Sequence, residues 1–468
     1  GDFWNLYYRG DGVFNEHPPL MFGVQAIFFK IFGEQYYTEK IFSFLVWMIT
    51  VFAVKRLWNV IRQPDDKKYN YVLPLMLWGF IQTVIWSYTN NILDTFMGLI
   101  DLLAIITVLS ALLSNKNVNG KLALAGLITF CAIFTKGPPG AFPIAAPILY
   151  HIIYTKGLKG IGKGIAQSMI MLAVVVGVYV ILMQYEPAAA SINRYMGQQL
   201  SAALEGKREI TGGSLGRFAI FSFLLVEMIP AFVISILILV LNKIARYKSV
   251  ITTDKRMIWL ILLIALSASA PIMLSLKQRS FYLIPSIPYY VLALSLFIYP
   301  YFINVTDRWR ISGKKLNRFH LAVFAAFVSL AFYLGNKAGQ PGRDKEMIHE
   351  IKQLTAIIPE DTKVGMCDEI QKEFGFLAYL QRYNKIEVAH VYYEAEYALI
   401  YNNVCKDEFR NMLVRFGFKQ VEENLAQYEI YKRKYPLNFD FKLLNPAFPI
   451  ADKSQPSESQ PHSQPDQE

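Results

Sequence analysis

Four short polar groups interrupt an otherwise apolar chain, and each is built from residue types that can hold an anion or move a proton. Glu16-His17-Pro18-Pro19-Leu20 sets an acid and an imidazole before a Pro-Pro pair, which stiffens the backbone and can start a helix. The positive end of a helix can hold a phosphate or another anion. Asp94 follows Thr89-Asn90-Asn91-Ile92-Leu93, where a carboxylate can serve as a general base or orient a cation. Lys136-Gly137-Pro138-Pro139 breaks two apolar runs, and the backbone groups freed there must face protein or a water-filled cavity. A lysine in such a break can neutralise a phosphate. Lys277-Gln278-Arg279, followed by Tyr282 and Pro285, puts two cations and a phenol into one short connection, a set that suits a phosphate ester. Each group also has a plain reading: a helix start, an acid at a helix N-terminus, a tight turn with a solvated lysine, and a basic loop against lipid headgroups.

The elements that would position these groups are membrane spans. The chain has 468 residues, 54% of them hydrophobic, with a mean hydropathy of +0.28. The apolar excess falls in blocks of roughly 17 to 24 residues, the length that crosses a bilayer. We read about ten spans: 38–54, 71–87, 92–114, 122–134, 139–154, 165–184, 218–241, 257–275, 281–303 and 319–334, of which the fourth and fifth are short and together read as two tilted helices or one re-entrant pair. Leu20–Phe32 is apolar but short, and reads as an interfacial helix. One alternate set of loops holds 20 Lys and Arg and the other holds 7. By the positive-inside rule the richer set is cytoplasmic, so all four polar groups face outward together. The net charge of +11 is accounted for by these loops, and nucleic acid is not an expected partner.

After Leu334 the chain turns polar. We expect a small α/β domain outside the membrane over 336–435, with an amphipathic helix at Glu346–Ile358 and strands at Lys363–Met366 and Tyr428–Lys432. Residues 436–468 include a Ser-Gln-Pro-rich stretch that cannot bury enough to fold, and read as a disordered tail. Cys131 lies in a span, while Cys367 and Cys405 either pair or stay as inert thiols. Residues 1–37 form an outer loop and the interfacial helix, and the loop's outward position implies an additional helix ahead of it. The connection 185–217, with Gly212-Gly213, suits a lid. Glu227 sits inside a span three residues before Pro230, where an acid needs a partner. The six histidines show no metal spacing, and no Walker loop or dinucleotide fingerprint is present.

Taken in order, these motifs resemble the GT-C superfamily of membrane glycosyltransferases, in the branch of lipid A aminoarabinose transferase and the dolichyl-phosphate-mannose–protein mannosyltransferases. The resemblance runs over about residues 1–301 and rests on Gly1-Asp2-Phe3-Trp4, Glu16-His17-Pro18-Pro19-Leu20, Asp94, Thr135-Lys136-Gly137-Pro138, and Ser275, Lys277 and Tyr282-Leu283-Ile284-Pro285. It implies an all-α polytopic bundle over 38–335 that transfers a sugar, with inversion, from a polyprenyl-phosphate carrier to a hydroxyl of a lipid, glycan or protein on the outer face of the cytoplasmic membrane. Asp94 is then the catalytic acid within the chain, positioning the acceptor or sharing the base role. Glu16, His17, Lys136, Lys277, Arg279 and Tyr282 contact substrate. Two departures stand out: His17 replaces the family's carrier-binding lysine, and the family's principal acid would fall upstream of Gly1, Asp2 not being its equivalent. No cofactor is implied with certainty and a divalent metal is left open. A transporter or flippase of lipid-linked sugar is the alternative; it would show paired broken helices near the midplane, whereas the breaks in this sequence fall at the outer edge.

Overall fold

The computed structural model describes residues 2–8, 12–13, 16–35, 37–62, 71–155, 157–197, 213–245, 254–311, 344–371, 373–389, 395–402, 404–421, 425 and 427–434, with isolated helical positions between 321 and 336. Most of the expected span 319–334, residues 198–212 of the expected lid and the whole tail 436–468 lie outside the described residues. The chain divides into two compact units: 1–6 with 15–322, and 7–14 with 323–468.

The first unit is helical. Helices α1 (Leu20–Phe32), α2 (Thr38–Ile61), α3 (Val72–Gly79), α4 (Gln82–Thr89), α5 (Leu93–Ser114), α6 (Val118–Lys136), α7 (Ala146–Tyr154), α8 (Gly157–Leu182), α9 (Glu186–Tyr195), α10 (Ala219–Glu227), α11 (Ile229–Ala245), α12 (Lys255–Ser269) and α13 (Ile287–Ile311) follow in order. Six helices are long and apolar enough to cross a membrane, and two bent pairs raise the number to eight. Many large apolar side chains on them are exposed, among them Phe52, Ile85, Ile181, Leu225 and Phe297. So much exposed apolar surface belongs against lipid, and the protein is a multi-pass membrane protein. The inner faces bury Val54, Leu57, Trp58, Leu102, Ile105 and Leu109 in one core.

Among the described residues, six of the ten expected spans are single long apolar helices and two more coincide with the bent pairs. The expected span at 139–154 is corrected: it is a 3-10 turn, Pro138–Ala145, followed by the nine-residue α7. Pro138, Pro139 and Pro143 withhold backbone donors and prevent a continuous helix. Nine residues rise about 14 Å, half of what a hydrocarbon core needs. Leu20–Phe32 is a helix with the expected bounds.

Two spans are bent, α3–α4 by 77° and α10–α11 by 42°. The bends meet: the Thr83 backbone N–H, in the first turn of α4, donates to the Glu227 carboxylate at the end of α10 (3.1 Å). This is the partner that Glu227 requires, and it satisfies one of the donors left open where α4 starts.

The second unit holds the short pair β1 (Tyr7–Tyr8) and β2 (Gly12–Val13) and a mixed α/β layer. Helix α14 (Lys345–Ile357) precedes β3 (Lys363–Met366), α15 (Asp368–Gln371), α16 (Phe374–Asn384), β4 (Glu387–Ala389), β5 (Tyr397–Tyr401), α17 (Asp407–Arg415), β6 (Phe418–Gln420) and β7 (Tyr428–Arg433). The sheet order is β4-β3-β5-β7-β6, parallel on the β4 side and antiparallel on the β6 side. α14 buries Ile348, Ile351 and Leu354, one side chain per turn, which is why its sequence reads as amphipathic. Strands at 363–366 and 428–433 confirm the sequence reading. Cys367 and Cys405 form a disulfide, which closes the pairing left open above, and Cys131 is free.

Candidate active site

Helices α5 and α6 form an antiparallel hairpin turned by Asn115 and Asn117, both in the left-handed region (φ 52° and 47°). Asparagine tolerates that conformation better than most residues with a Cβ. Asp94 lies 21 residues before Asn115 and Lys136 lies 19 residues after Asn117. At about 1.5 Å per residue both sit roughly 30 Å from the turn, at the same level. The Lys136 ammonium donates to the Asp94 carboxylate at 2.5 Å.

This pair is enclosed, with side chains 12% and 3% exposed respectively. Two helix dipoles favour it. Asp94 is in the first turn of α5, at the positive end, and Lys136 is the last residue of α6, at the negative end. The ammonium also lies over the Tyr282 ring, 4.3 Å from its centroid, and 5.8 Å from that of Phe281. That is cation–π range. Three of the four sequence motifs thus converge on one point at one end of the bundle.

Gly137 makes this geometry available. Its φ is 102°, and a Cβ on it would run into the Tyr195 hydroxyl. That hydroxyl donates to the Lys136 carbonyl (3.3 Å), so α9 closes over the end of α6. Gly98, one turn below Asp94, packs against the backbone of Pro285 and brings α5 up to the 276–285 connection.

The remaining expected residues are placed by neighbours of this point. Lys277 and Arg279 are half-buried in the same connection as Tyr282. The connection is pinned by Gln278, 1% exposed. Its carbonyl oxygen accepts from the Ile220 N–H (2.7 Å), and its amide donates to the carbonyls of Arg217 (2.9 Å) and Ser275 (3.1 Å). Glu16 is exposed and His17 half-exposed, just before the buried Pro18-Pro19. Leu20, the first residue of α1, packs with Met97, Ile100 and Phe134, so Glu16 and His17 sit at the same end of the bundle as Asp94 and Lys136.

Asp2 proves to be a turn residue. Its carboxylate accepts from Trp4 N–H (2.8 Å), Asn5 N–H (2.8 Å) and the Asn5 amide. The Asn5 side chain, followed by the Trp4 and Asn5 backbone donors, holds the carboxyl below its usual range. The turn sets Trp4 against Phe134 of α6 (centroids 5.9 Å), and Arg194 of α9 donates to Asn5 Oδ1 (2.8 Å).

Sequence reasoning missed Arg194, Tyr195 and the pinning role of Gln278. A signal for α9 was present: Glu186-Pro187 is an acid and a proline at a helix start. Asp101, two turns deeper on α5, is fully buried and neither of its oxygens has a hydrogen-bond partner among the described residues. Among the described residues no three of His, Cys, Asp and Glu are grouped to hold a metal ion.

No protein-family model matches the chain, and no characterised protein matches it by sequence. Solved structures do match it in fold. ArnT from Cupriavidus metallidurans in the apo state superposes with a TM-score of 0.57 at 11% identity, over 92% of this chain and 90% of that one. ArnT from the same organism bound to undecaprenyl phosphate gives a TM-score of 0.61 at 12% identity, over 93% and 91%. By architecture the chain is a multi-pass membrane protein with the same fold as these two ArnT structures.

Proposed function

We propose that the protein is an inverting glycosyltransferase that moves a sugar from a polyprenyl-phosphate carrier to a hydroxyl acceptor. The observation that carries this reading is the junction of Asp94, Lys136 and Tyr282 at one end of the bundle. Likeness in fold to an ArnT bound to undecaprenyl phosphate supports a carrier of that kind. The disulfide between Cys367 and Cys405 supports an extracytoplasmic C-terminal domain, and the loop charge bias supports an outward-facing junction.

In the proposed reaction the acceptor oxygen forms a bond to the anomeric carbon while the bond from that carbon to the carrier phosphate breaks. The phosphate leaves with the electron pair. The hydroxyl proton goes to a carboxylate acting as general base. Lys136, with Lys277 and Arg279, neutralises the departing phosphate; fixed cations in an enclosed site gain most as charge develops. The burial of Asp94 beneath Lys136 favours a holding role: it orients the ammonium while the acceptor is positioned by the surface around Glu16 and His17. Tyr282 presents its ring to the same ammonium and its hydroxyl to the phosphate. No step is routed through a metal.

The two bent pairs, joined at Glu227 and Thr83, are the one observation that favours a transporter of lipid-linked sugar. In that reading a half-helix N-terminus receives an anionic substrate. Here the start of α4 is occupied by the protein's own carboxylate, which favours the enzyme. The test is purified protein in vesicles with polyprenyl-phosphate-linked sugars and a membrane-extract acceptor. Release of free polyprenyl phosphate that falls with Lys277→Ala supports transfer; movement of intact lipid-linked sugar without release overturns it.

A further inference from the structure

The C-terminal unit contains a pocket lined by its own residues. This pocket of about 590 Å³ opens between α14, the α15–α16 segment and the ends of β5 and β7. Its described lining includes Glu346, Glu350 and Glu373 together with Phe376, Tyr401 and Tyr428. None of the three glutamates forms an ion pair among the described residues, and Lys345 is the only cation in the described lining. The fourth acid, Asp344, is engaged by the Tyr379 hydroxyl (3.0 Å).

The aromatic wall is ordered. Tyr428 stacks on Phe376 (centroids 5.1 Å, 11° between planes) and on Tyr401 (4.9 Å, 20°). Tyr428 is only 5% exposed, yet it lines the pocket and its hydroxyl makes no hydrogen bond among the described residues. A phenol hydroxyl that can be reached from a cavity can donate to, or accept from, a ligand atom. Acidic charge is concentrated here: burial, then Glu346, push the Glu350 carboxyl up, with His349 opposing. Burial followed by Glu350 pushes Tyr428 well above the usual range, which leaves it a neutral donor.

We propose that this pocket binds a small organic cation, a primary ammonium group carried on a body that lies against the aromatic rings. A metal ion does not suit it, because among the described residues no three acidic, His or Cys side chains group closely enough to coordinate one. The volume also exceeds what a bare ion fills, and suits a compact organic molecule. Carboxylates supply charge-assisted acceptors for the ammonium, and the stacked rings supply cation–π and van der Waals contact. Two sources share this chemistry, an aminated sugar and an aliphatic polyamine.

The experiment is calorimetric titration of the full chain in nanodiscs with three probes: a glucosamine trisaccharide, its N-acetylated form, and spermidine. An ammonium probe binds and the N-acetylated sugar does not. Glu350→Gln and Glu373→Gln each weaken binding about tenfold, the loss of one charge-assisted contact, and added salt weakens it further. Tighter binding of the amino sugar names the first source, and tighter binding of spermidine the second. Equal binding of the N-acetylated sugar, no binding of either ammonium probe, or affinity unchanged in both Gln variants overturns the proposal. Glu373 is exposed, so its Gln variant keeps the fold and its result stands if Glu350→Gln unfolds.

Discussion

Replacing Lys136 by Met separates what the buried pair does for the fold from what it does for the reaction. Asp94 is 2% exposed, and its ammonium partner is the one ionic contact that the described residues give it. Removing one partner of a buried pair costs roughly 3–5 kcal/mol, because the other charge is left uncompensated. The buried carboxylate of Lys136→Met must either stay charged at that cost or take up a proton. Neutralising both, as Asp94→Asn with Lys136→Met, removes the penalty and leaves side chains of similar volume, so most of that stability returns. If Lys136 meets the carrier phosphate, transfer does not return; loss of a preorganised cation at developing charge costs about 10²-fold or more. Thermal unfolding in detergent and release of polyprenyl phosphate are measured on the two single variants and the double variant. A double variant no more stable than Lys136→Met refutes the buried-pair reasoning. A stable double variant with native transfer rates removes the pair from the reaction.

Four further outcomes follow from the geometry. Gln278→Leu leaves the Ile220 N–H and the Arg217 carbonyl without their partner, so unfolding comes about 2–4 kcal/mol earlier and transfer falls with it, as paired melting and activity assays would show. Gly137→Ala meets the Tyr195 hydroxyl at a positive φ and costs transfer even where the protein still inserts; equal activity would mean that α9 does not close on Lys136. In the C-terminal unit, Ile351→Ala destabilises by about 2–5 kcal/mol, read by proteolysis of the full chain. Glu429 tests pH. Burial alone would raise its carboxyl, but Arg410, at 2.9 and 3.1 Å, and the Tyr431 hydroxyl hold it below the ordinary value. A depressed carboxyl adds stability that is present above its unfolded value of about 4.5 and is lost as pH falls through its folded value. Acid unfolding of this unit therefore has a component below about pH 4.5 that disappears in Glu429→Gln.

Much of this arrangement is legible in the chain. Apolar block lengths give the spans, because a bilayer fixes how many residues must be apolar in a row. The same signal cannot show a bend. Phe80-Ile81 and Met228 are themselves apolar, so each bent pair reads as one continuous span. The turn at 138–145 reads as part of a span for the opposite reason: its residues are apolar enough to span, but its prolines withhold the donors a helix needs. The meeting of Asp94 and Lys136 was nearly available, since their distances from the Asn115–Asn117 turn match, and only the antiparallel packing of α5 on α6 had to be supplied. The seating of Tyr282 under Lys136, and the closure of Tyr195 on it, depend on contacts across 59 to 146 positions of chain, which no local pattern encodes.

The central claim is that the end of α6 receives the carrier phosphate. The most direct measurement is the affinity of the protein in nanodiscs for undecaprenyl phosphate, compared between the native chain and the double variant Asp94→Asn with Lys136→Met, each first shown by melting to be folded. The account predicts binding at least about tenfold weaker in the variant, the loss of one charge-assisted contact. Undiminished affinity would place the phosphate elsewhere and contradict it.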